Sequence, residues 1–445
     1  MDAVSKSEIY SDDELQFESD AQPQPSDELL ISPERYYTKE YMEKEWEHLW
    51  TKTWLVAGRV SDLEHPGDFI RFDLLTESIV IIRTGEDEDS IKAFYNLCPH
   101  RGNRLVFEER GHLSSGFKCA YHGWKFRIDG ELDEITYREH FDPNQICNLK
   151  GLKEVRCERW GGFTFINMND DAEPLTEFLG PLVEQFEGYS PEKMVIVKDM
   201  VNYWPVNWKT GVDNFNESYH VHWVHSQIPR AFDHAHQFNF YPNGHCRTLG
   251  RVRTLEGAPD GPIPDLMWVN LLRNGLDLTP ENFEGTFADS QRVLSEHNRK
   301  RAEHVGVDYA KIADGQLFYF LFPNIILSME VETMFMLQVL PVRDNPDEFK
   351  FHTLGMVHPM EESPIDLTGY IGVPPGTDLS GNDRPETNYV PYIDDELGPV
   401  LIQDTELLPE VQQGMKSRAF DGLILGGLEK RIKHFHQELD RRIPG

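Results

Sequence analysis

The residues best suited to metal chemistry lie between positions 214 and 225, which read N-F-N-E-S-Y-H-V-H-W-V-H. Glu217, His220 and His225 bring one carboxylate and two imidazoles into this short stretch. Two histidines and one carboxylate that leave coordination positions open are typical of a non-haem Fe(II) centre that reacts with O2. The alternative is a set of ordinary histidines on the surface of a helix.

The spacing of these residues predicts how the chain must be shaped around them. Residues three or four apart share one face of a helix, and residues five apart do so less well. Glu217 and His220 therefore share a face, whereas His220 and His225 need an irregularity to meet at one ion. The sequence predicts a helix that is interrupted or bent near its end, with His222 facing elsewhere as a pocket or surface histidine.

A second group of metal-binding residue types lies upstream. Cys98 and His100 form C-x-H, and after eighteen residues Cys119 and His122 form C-x2-H. Two thiolates and two imidazoles in this order are the ligand set of a Rieske [2Fe-2S] cluster, in which two histidines replace two cysteines on one iron. Structural zinc is the alternative, because Cys2His2 also suits a tetrahedral ion. Zinc fingers, however, usually place paired cysteines before paired histidines, whereas here each loop has one of each.

With both stretches together, the chain resembles the catalytic (alpha) subunit of the Rieske non-haem iron oxygenases, the aromatic-ring-hydroxylating dioxygenase family. The resemblance extends from about Tyr36 to the C-terminal region. The segments that carry it are N-L-C-P-H-R-G at 96–102, C-A-Y-H-G-W at 119–124, N-W-K at 207–209 and Q-D-T-E-L at 403–407.

The resemblance implies an α+β fold, with a small all-β Rieske domain and a larger catalytic domain. In the catalytic domain an antiparallel sheet is covered by helices, in a helix-grip or START-like arrangement. It also implies that Cys98 and Cys119 hold one cluster iron, and His100 and His122 the other. His220 and His225 would bind the catalytic Fe(II) with Asp404 as third ligand, although Asp394, Asp395 or Asp421 could compete for that place.

Glu217 occupies the position where the family has an acidic residue that joins its two metal sites. In the family, the cluster that serves an iron comes from the neighbouring subunit of a trimer. The carboxylate binds one histidine of each centre, here His122 and His220, and would set the tautomers of both rings. Dioxygenases of the family usually have Asp after Gly at this point. Asn216 and Glu217 instead resemble members that act on quaternary amines, which leaves the substrate class open.

Composition excludes several classes of function. The formal net charge of −33 would repel nucleic acid and anionic lipid. No apolar run reaches the length of a membrane span, and the first residues lack the pattern of a signal peptide. Five cysteines with no repeated spacing argue against a disulfide framework. The prediction is a cytoplasmic protein in which Cys147, Cys157 and Cys246 are ordinary thiols.

Patterning along the chain suggests four segments. Residues 1–30 are acidic with interspersed prolines, which predicts a disordered tail. Residues 31–53 read as one amphipathic helix that begins at Ser32 and Pro33 and packs on the catalytic domain. Residues 54–168 contain short β-rich runs, which predict the Rieske domain. Residues 169–445 would form the catalytic iron domain, beginning with a helical linker over 175–189 that is broken at Gly180.

Three functions remain open at this stage. The first is hydroxylation of an aromatic or polycyclic substrate, because the strand-like segment 317–340 is rich in large apolar residues. The second is a quaternary-amine or N- or O-demethylating monooxygenase, suggested by Glu217. The third is a Rieske electron-transfer protein, which would have no use for His220, His225 and Asp404. No G-x-G-x-x-G motif in a βαβ context occurs, so electrons from NADH or NADPH would require a separate reductase, with or without a ferredoxin. The expected assembly is a homotrimer or α3β3.

Overall fold

The computed structural model describes residues 31–87, 90–225, 227, 234–252, 260–312 and 316–444. The predicted acidic tail at 1–30 lies outside the described residues, as does the side chain of His222. The chain divides into two compact units. The smaller unit consists of Glu43–Phe178 with Val342–Asp344, and the larger unit contains the described residues up to Met42, Leu179–Pro341 and the chain from Asn345 onward.

The smaller unit is built almost entirely from strands. Seven of them form one sheet in the order β1-β10-β9-β4-β3-β2-β5, and β6, β7 and β8 form a second, three-stranded sheet. The strands are β1 Leu55–Arg59, β2 Asp68–Leu74, β3 Glu77–Arg83, β4 Ile91–Tyr95, β5 Arg110–His112, β6 Phe117–Lys118, β7 Lys125–Phe126, β8 Leu132–Glu134, β9 Glu154–Trp160 and β10 Phe163–Asn167.

Two loops of the smaller unit carry the cysteine and histidine pairs. The first follows β4, and the second is the tip of the hairpin between β6 and β7. Cys98 and Cys119 belong to the same buried cluster as Phe94, Phe117 and Trp124. Both loops therefore rest on one hydrophobic core, which holds their ligand atoms at fixed positions.

The N-terminal segment differs from the single helix predicted over 31–53. It is divided into a 3₁₀ turn at Pro33–Tyr36, the α-helix α1 at Lys39–Glu45 and a π-helical turn at Trp46–Trp50. The hydroxyl of Ser32 contacts the Glu34 side chain and makes no cap bond to a backbone N–H, and Tyr37 leaves helical geometry with φ of −142°. Apolar spacing alone cannot reveal such breaks, because it does not record where the backbone leaves helical geometry.

The larger unit is organised around an eight-stranded sheet in the order β12-β13-β14-β15-β16-β17-β11-β18. The strands β12 to β16 form an antiparallel meander. The long β11 pairs antiparallel with β17 and parallel with the short β18. These strands are β11 Val195–Trp204, β12 His234–Phe240, β13 Cys246–Val252, β14 Gln316–Leu321, β15 Ile325–Met329, β16 Thr333–Val342, β17 Asn345–Val357 and β18 Asn388–Tyr389.

Helices supply the remaining framework. The linker is broken at Gly180, as predicted, because this residue adopts a left-handed φ of 54° between α3 and α4. None of the helices in the described ranges combines the length and the apolar character that a membrane crossing requires. The helices after α1 are α2 Pro143–Ile146, α3 Leu175–Leu179, α4 Leu182–Glu187, α5 Trp208–Phe215, α6 Val221–Val224, α7 Asp265–Arg273, α8 Phe287–Val305, α9 Leu367–Ile371, α10 Gly398–Met415 and α11 Lys430–Arg442.

Candidate metal centres

Helix α5 leads the chain into the predicted iron site. The side chain of Asn207 caps its start by accepting a hydrogen bond from Lys209 N at 3.0 Å. Gly211 lies where the helix meets β17, and a Cβ atom there would come within 2.8 Å of the Phe349 ring. The absence of a side chain thus lets α5 approach the sheet closely. The helix is also tied to α10, because Gln412 Oε1 accepts from Thr210 Oγ1 at 2.9 Å.

The interruption predicted near the end of this helix separates α5 from the short α6. His220 is the N-cap of α6 and His225 is its C-cap. Placing one histidine at each end of a four-residue helix brings their rings to a centroid distance of 5.3 Å, although they are five positions apart. The irregularity that the spacing required is therefore the end of α6, because His225 leaves helical geometry with φ of −105° and ψ of 72°.

The structure brings Asp404 of α10 to these two histidines. Its Oδ1 lies 3.7 Å from His220 Nε2 and 3.4 Å from His225 Nε2. One ligand atom from each residue lies within 4.8 Å of the others, and this is the one such group of three found among the described residues. Of the competing acids, Asp394 instead caps a turn by accepting from Glu396 N at 3.0 Å, and Asp421 is exposed.

The donor set fits a divalent iron. Two donors that each lie about 2.1 Å from one ion, at right angles, are about 3 Å apart. The observed separations of 3.4 and 3.7 Å are slightly wider and need only a small adjustment. Burial alone would lower the pKa of His225, but its hydrogen bonds to Asp404 and Gln403 and the charges of Asp404 and Glu217 raise it. A site that attracts a proton in this way also attracts a metal cation.

Both histidines are oriented through their Nδ1 atoms. His220 Nδ1 contacts Glu217 Oε1, and the second carboxylate oxygen of Glu217 accepts from the backbone N–H groups of Tyr219 and His220. His225 Nδ1 lies 2.8 Å from Gln403 Oε1. With Nδ1 held in this way, the Nε2 atom of each ring faces Asp404. The contact of Gln403 was not anticipated from the sequence, where this residue served only as part of a motif.

The two loops of the smaller unit share one hydrogen-bonding pattern. In each loop the N–H of the cysteine donates to the carbonyl five residues later, and the cysteine carbonyl accepts from the N–H four residues later. That fourth residue is a glycine with a left-handed φ, 75° at Gly102 and 73° at Gly123. The bonds are Cys98 N to Asn103 O at 2.8 Å, Gly102 N to Cys98 O at 2.9 Å, Cys119 N to Trp124 O at 2.8 Å and Gly123 N to Cys119 O at 2.9 Å.

The two cysteines of these loops differ in their electrostatic surroundings. Both side chains are buried. Burial raises the pKa of the Cys98 thiol to about 11, against the opposing effect of backbone N–H groups of His100 and Arg101. Burial would also raise the pKa of Cys119, but backbone N–H groups of Tyr121 and His122 outweigh it and lower that pKa. Asn103 Nδ2 adds a contact of 3.7 Å to Cys119 Sγ, which the sequence reasoning missed. The sequence feature that could have indicated this contact is the carboxamide of Asn103, which directly follows Gly102.

The histidines of these loops lie beside each other. The ring centroids of His100 and His122 are 4.6 Å apart, and His100 stacks on Trp124 at 4.8 Å with an interplanar angle of 5°. His100 Nδ1 is buried and has no hydrogen-bond partner among the described residues. A buried nitrogen of this kind is costly unless it is a ligand. Two buried sulfurs and two adjacent imidazoles therefore fit a [2Fe-2S] cluster.

Comparison with known families agrees with both centres. Residues 53–150 match the model of the Rieske [2Fe-2S] domain. Residues 191–445, more than half of the chain, match the model of the ring-hydroxylating alpha subunit, catalytic domain. The chain belongs to the ring-hydroxylating oxygenase alpha-subunit family. Membership confirms the two predicted cofactors, a [2Fe-2S] cluster and a mononuclear iron, and it removes the zinc alternative for the upstream cysteines.

Curated members of this family include relatives of two substrate classes. The carnitine monooxygenase oxygenase subunit of Escherichia coli (strain K12) is 34% identical over 196 residues, which are 43% of this chain and 51% of the relative. The large oxygenase component of the naphthalene 1,2-dioxygenase system of Pseudomonas aeruginosa is 31% identical over 206 residues, 43% of this chain and 44% of the relative. The chain thus matches about half of the length of these curated relatives.

The family fold is also seen in solved structures. A quaternary ammonium Rieske monooxygenase in complex with L-carnitine superposes with a TM-score of 0.66 at 20% identity, over 93% of this chain and 95% of that chain. At this identity the likeness speaks for the fold alone. The predicted α+β architecture, with an all-β Rieske domain and an antiparallel catalytic sheet covered by helices, is confirmed.

Proposed function

We propose that this protein is the terminal oxygenase component of a multi-component system. It uses O2 and electrons from NADH or NADPH, relayed by a separate reductase and in some systems a ferredoxin, to hydroxylate an organic substrate. The observation that carries this proposal is the convergence of His220, His225 and Asp404, because 179 positions separate Asp404 from His225 along the chain. An electron carrier would have no use for this second metal site.

The proposed roles follow from the two sets of contacts. Cys98 and Cys119 would hold one cluster iron and His100 and His122 the other. His220, His225 and Asp404 would hold the catalytic Fe(II), which when bound supplies the activation of O2 at the coordination positions that three protein ligands leave open. The domain limits that we propose are 54–168 for the cluster and 169–445 for the iron.

Glu217 is proposed as the link between the centres. It already fixes the ring of His220 through Nδ1 and is itself fixed by two backbone N–H groups. Its place in the family motif suggests that its carboxylate also reaches His122 of a neighbouring copy of the chain. A homotrimer or an α3β3 complex would provide that neighbour.

For the substrate, our first candidate is an aromatic or polycyclic compound. The strands β14, β15 and β16 present Tyr319, Phe320, Ile326, Leu327 and Met336 as buried apolar side chains. A relative with a naphthalene dioxygenase name supports this candidate.

A quaternary amine is the second candidate, favoured by a specific observation. Glu217 has one methylene more than the aspartate usual in the ring dioxygenases, and a relative named for carnitine is 34% identical to this chain over 196 residues. Turnover with a reductase and NADH on naphthalene, indole, carnitine and glycine betaine separates the candidates. Hydroxylated ring products support the first, and release of trimethylamine or an aldehyde supports the second.

The variant His220→Ala tests the oxygenase function itself. It should keep the visible and EPR spectrum of the cluster but lose substrate oxidation, because only the second centre is damaged. Wild-type protein should contain about three irons and two sulfides per chain, the sum of a [2Fe-2S] cluster and one iron. Substrate oxidation at the wild-type rate in the variant would remove the mononuclear site from the mechanism.

A further inference from the structure

The ring of His225 is held at both nitrogens by two consecutive residues of α10. Its Nδ1 lies 2.8 Å from Gln403 Oε1, and its Nε2 lies 3.4 Å from Asp404 Oδ1. The side chain of His225 is only 2% exposed, so water has little access to either nitrogen. One turn of one helix therefore supplies both a ligand for the proposed iron and the group that orients another ligand.

The contact with Gln403 defines the tautomer of His225. A carboxamide oxygen has lone pairs but no proton, so it can only accept a hydrogen bond. Nδ1 must then be the protonated nitrogen of the neutral ring, and Nε2 carries the lone pair. Gln403 Oε1 also accepts from Gln227 Nε2 at 3.0 Å, so this one oxygen makes both contacts.

The two iron histidines differ in the charge of the group that holds them. His220 Nδ1 is held by the carboxylate of Glu217, and His225 Nδ1 by the neutral carboxamide of Gln403. With Asp404 as ligand, two carboxylates balance the two positive charges of Fe(II). A third carboxylate would make the centre negative and favour a more highly charged metal ion.

We propose that Gln403 is a positioning residue of the mononuclear site. It presents His225 Nε2 to the metal, and it does so without adding a negative charge. This inference rests on the proposed function, since it requires that His225 binds a metal. It adds to that function a group that sets both the affinity for the metal and the reduction potential of the site.

The decisive variant is Gln403→Leu, which keeps a similar volume and removes the acceptor. The holoprotein is stripped of its mononuclear metal, and Co(II) alone is titrated in against a chromophoric chelator. Loss of a group that orients a metal ligand typically costs 10–100-fold in affinity, and we expect a loss of about that size. The visible spectrum of the cluster should stay unchanged. Gln413→Leu is the matched control, because Gln413 is exposed on the same helix, and it should bind Co(II) as the wild type does.

The variant Gln403→Glu provides a second readout that does not depend on the first variant folding. It restores an acceptor for Nδ1, so Co(II) affinity should equal or exceed that of the wild type. Its extra charge should lower the Fe(III)/Fe(II) potential of the mononuclear site. An unchanged potential in Gln403→Glu, or wild-type affinity in Gln403→Leu, would each overturn the inference.

His225→Ala separates this inference from the function on which it rests. If the wild type binds Co(II) and His225→Ala does not, the metal site stands, and the Gln403 variants alone decide the inference. If the wild type and His225→Ala take up the same amount of Co(II), His225 is no ligand, and both the inference and the proposed function fail.

Discussion

The substitution Tyr36→Phe should destabilise the larger unit through a single hydroxyl group. Tyr36 is fully buried, and its hydroxyl donates to Asp213 Oδ2 at 2.6 Å and lies 2.9 Å from His436 Nε2. His436 Nε2 is also 3.1 Å from Asp213 Oδ1, and His436 Nδ1 accepts from Arg35 at 3.0 Å. These bonds join the N-terminal segment, α5 and α11, so the hydroxyl helps to position the helix that leads to the iron site.

The magnitude follows from the charge of the acceptor. A hydrogen bond to a charged group contributes about 1.5–3 kcal/mol to stability. Asp213 keeps its contact with His436 in the variant and is not left without a partner, so we expect a loss near 2 kcal/mol rather than 3. For a unit of this size that corresponds to a decrease in Tm of about 4–8 °C. Burial and the negative charge of Asp213 raise the pKa of Tyr36 well above its usual range, so the hydroxyl stays protonated throughout the assay.

Differential scanning calorimetry and guanidinium titration of the holoprotein at pH 7 would measure the effect. Tyr37→Phe is the control, because this adjacent tyrosine is only partly buried and should change stability by less than about 0.5 kcal/mol. In a double-mutant cycle, Tyr36→Phe and Asp213→Asn should couple by about 1 kcal/mol or more. Additive effects, or an unchanged Tm in Tyr36→Phe, would show that the network does not stabilise the fold as reasoned.

Three further predictions concern other parts of the chain. Glu217→Gln should retain both metals but slow reoxidation of the reduced cluster in the presence of substrate and O2, and stopped-flow traces equal to those of the wild type would exclude Glu217 as the link. Asp199→Asn should destabilise the larger unit, because the Asp199 carboxylate contacts His352 at 2.9 Å and Arg384 at 2.7 Å. Burial by itself would raise the pKa of Asp199, but these two contacts outweigh it and hold that pKa below its usual value. A carboxyl whose pKa is lower in the folded state stabilises the fold at pH values above its unfolded pKa of about 3.9. The difference in stability between the wild type and Asp199→Asn should therefore be constant above about pH 5 and shrink as the pH falls. A difference that grows on acidification would contradict this assignment. Gly123→Ala should make the cluster more labile to chelators by forcing a left-handed φ of 73° on alanine, at a cost of about 1 kcal/mol, and an unchanged rate of cluster loss would refute it.

These three experiments have internal controls. Gly102→Ala tests the same backbone strain in the other loop, where a Cβ atom meets nothing within 4 Å. At Gly123 the Cβ atom would also come within 3.1 Å of Thr136 Oγ1, so its variant should lose the cluster faster. Glu217→Asp keeps the charge and should recover part of the electron transfer that Glu217→Gln loses. For Asp199, the exposed Asp383→Asn should leave the denaturation midpoint unchanged at neutral pH.

The sequence by itself determined what lies close together along the chain. Cys98 with His100, and Cys119 with His122, could be recognised because a tight loop places such neighbours on one side of a turn. Helical spacing predicted that Glu217 would meet His220, and they do meet, although in the turn between α5 and α6 rather than on one helix. The need for an irregularity between His220 and His225 followed from the same spacing rule, and the division into strands and helices followed from the period of apolar residues.

Only the tertiary structure decided what joins distant segments. Asp404 could be favoured from a motif, but its approach to His225 depends on how α10 packs beside α5. The contacts of Gln403 with His225 and of Tyr36 with Asp213 could not be predicted from the periodicity of the sequence, since a single polar pair changes neither the spacing of apolar residues nor the composition. The breaks in the N-terminal helix were hidden for a similar reason. Local patterns record local geometry, whereas long-range pairs are selected by packing of the whole unit, and one sequence does not display that packing.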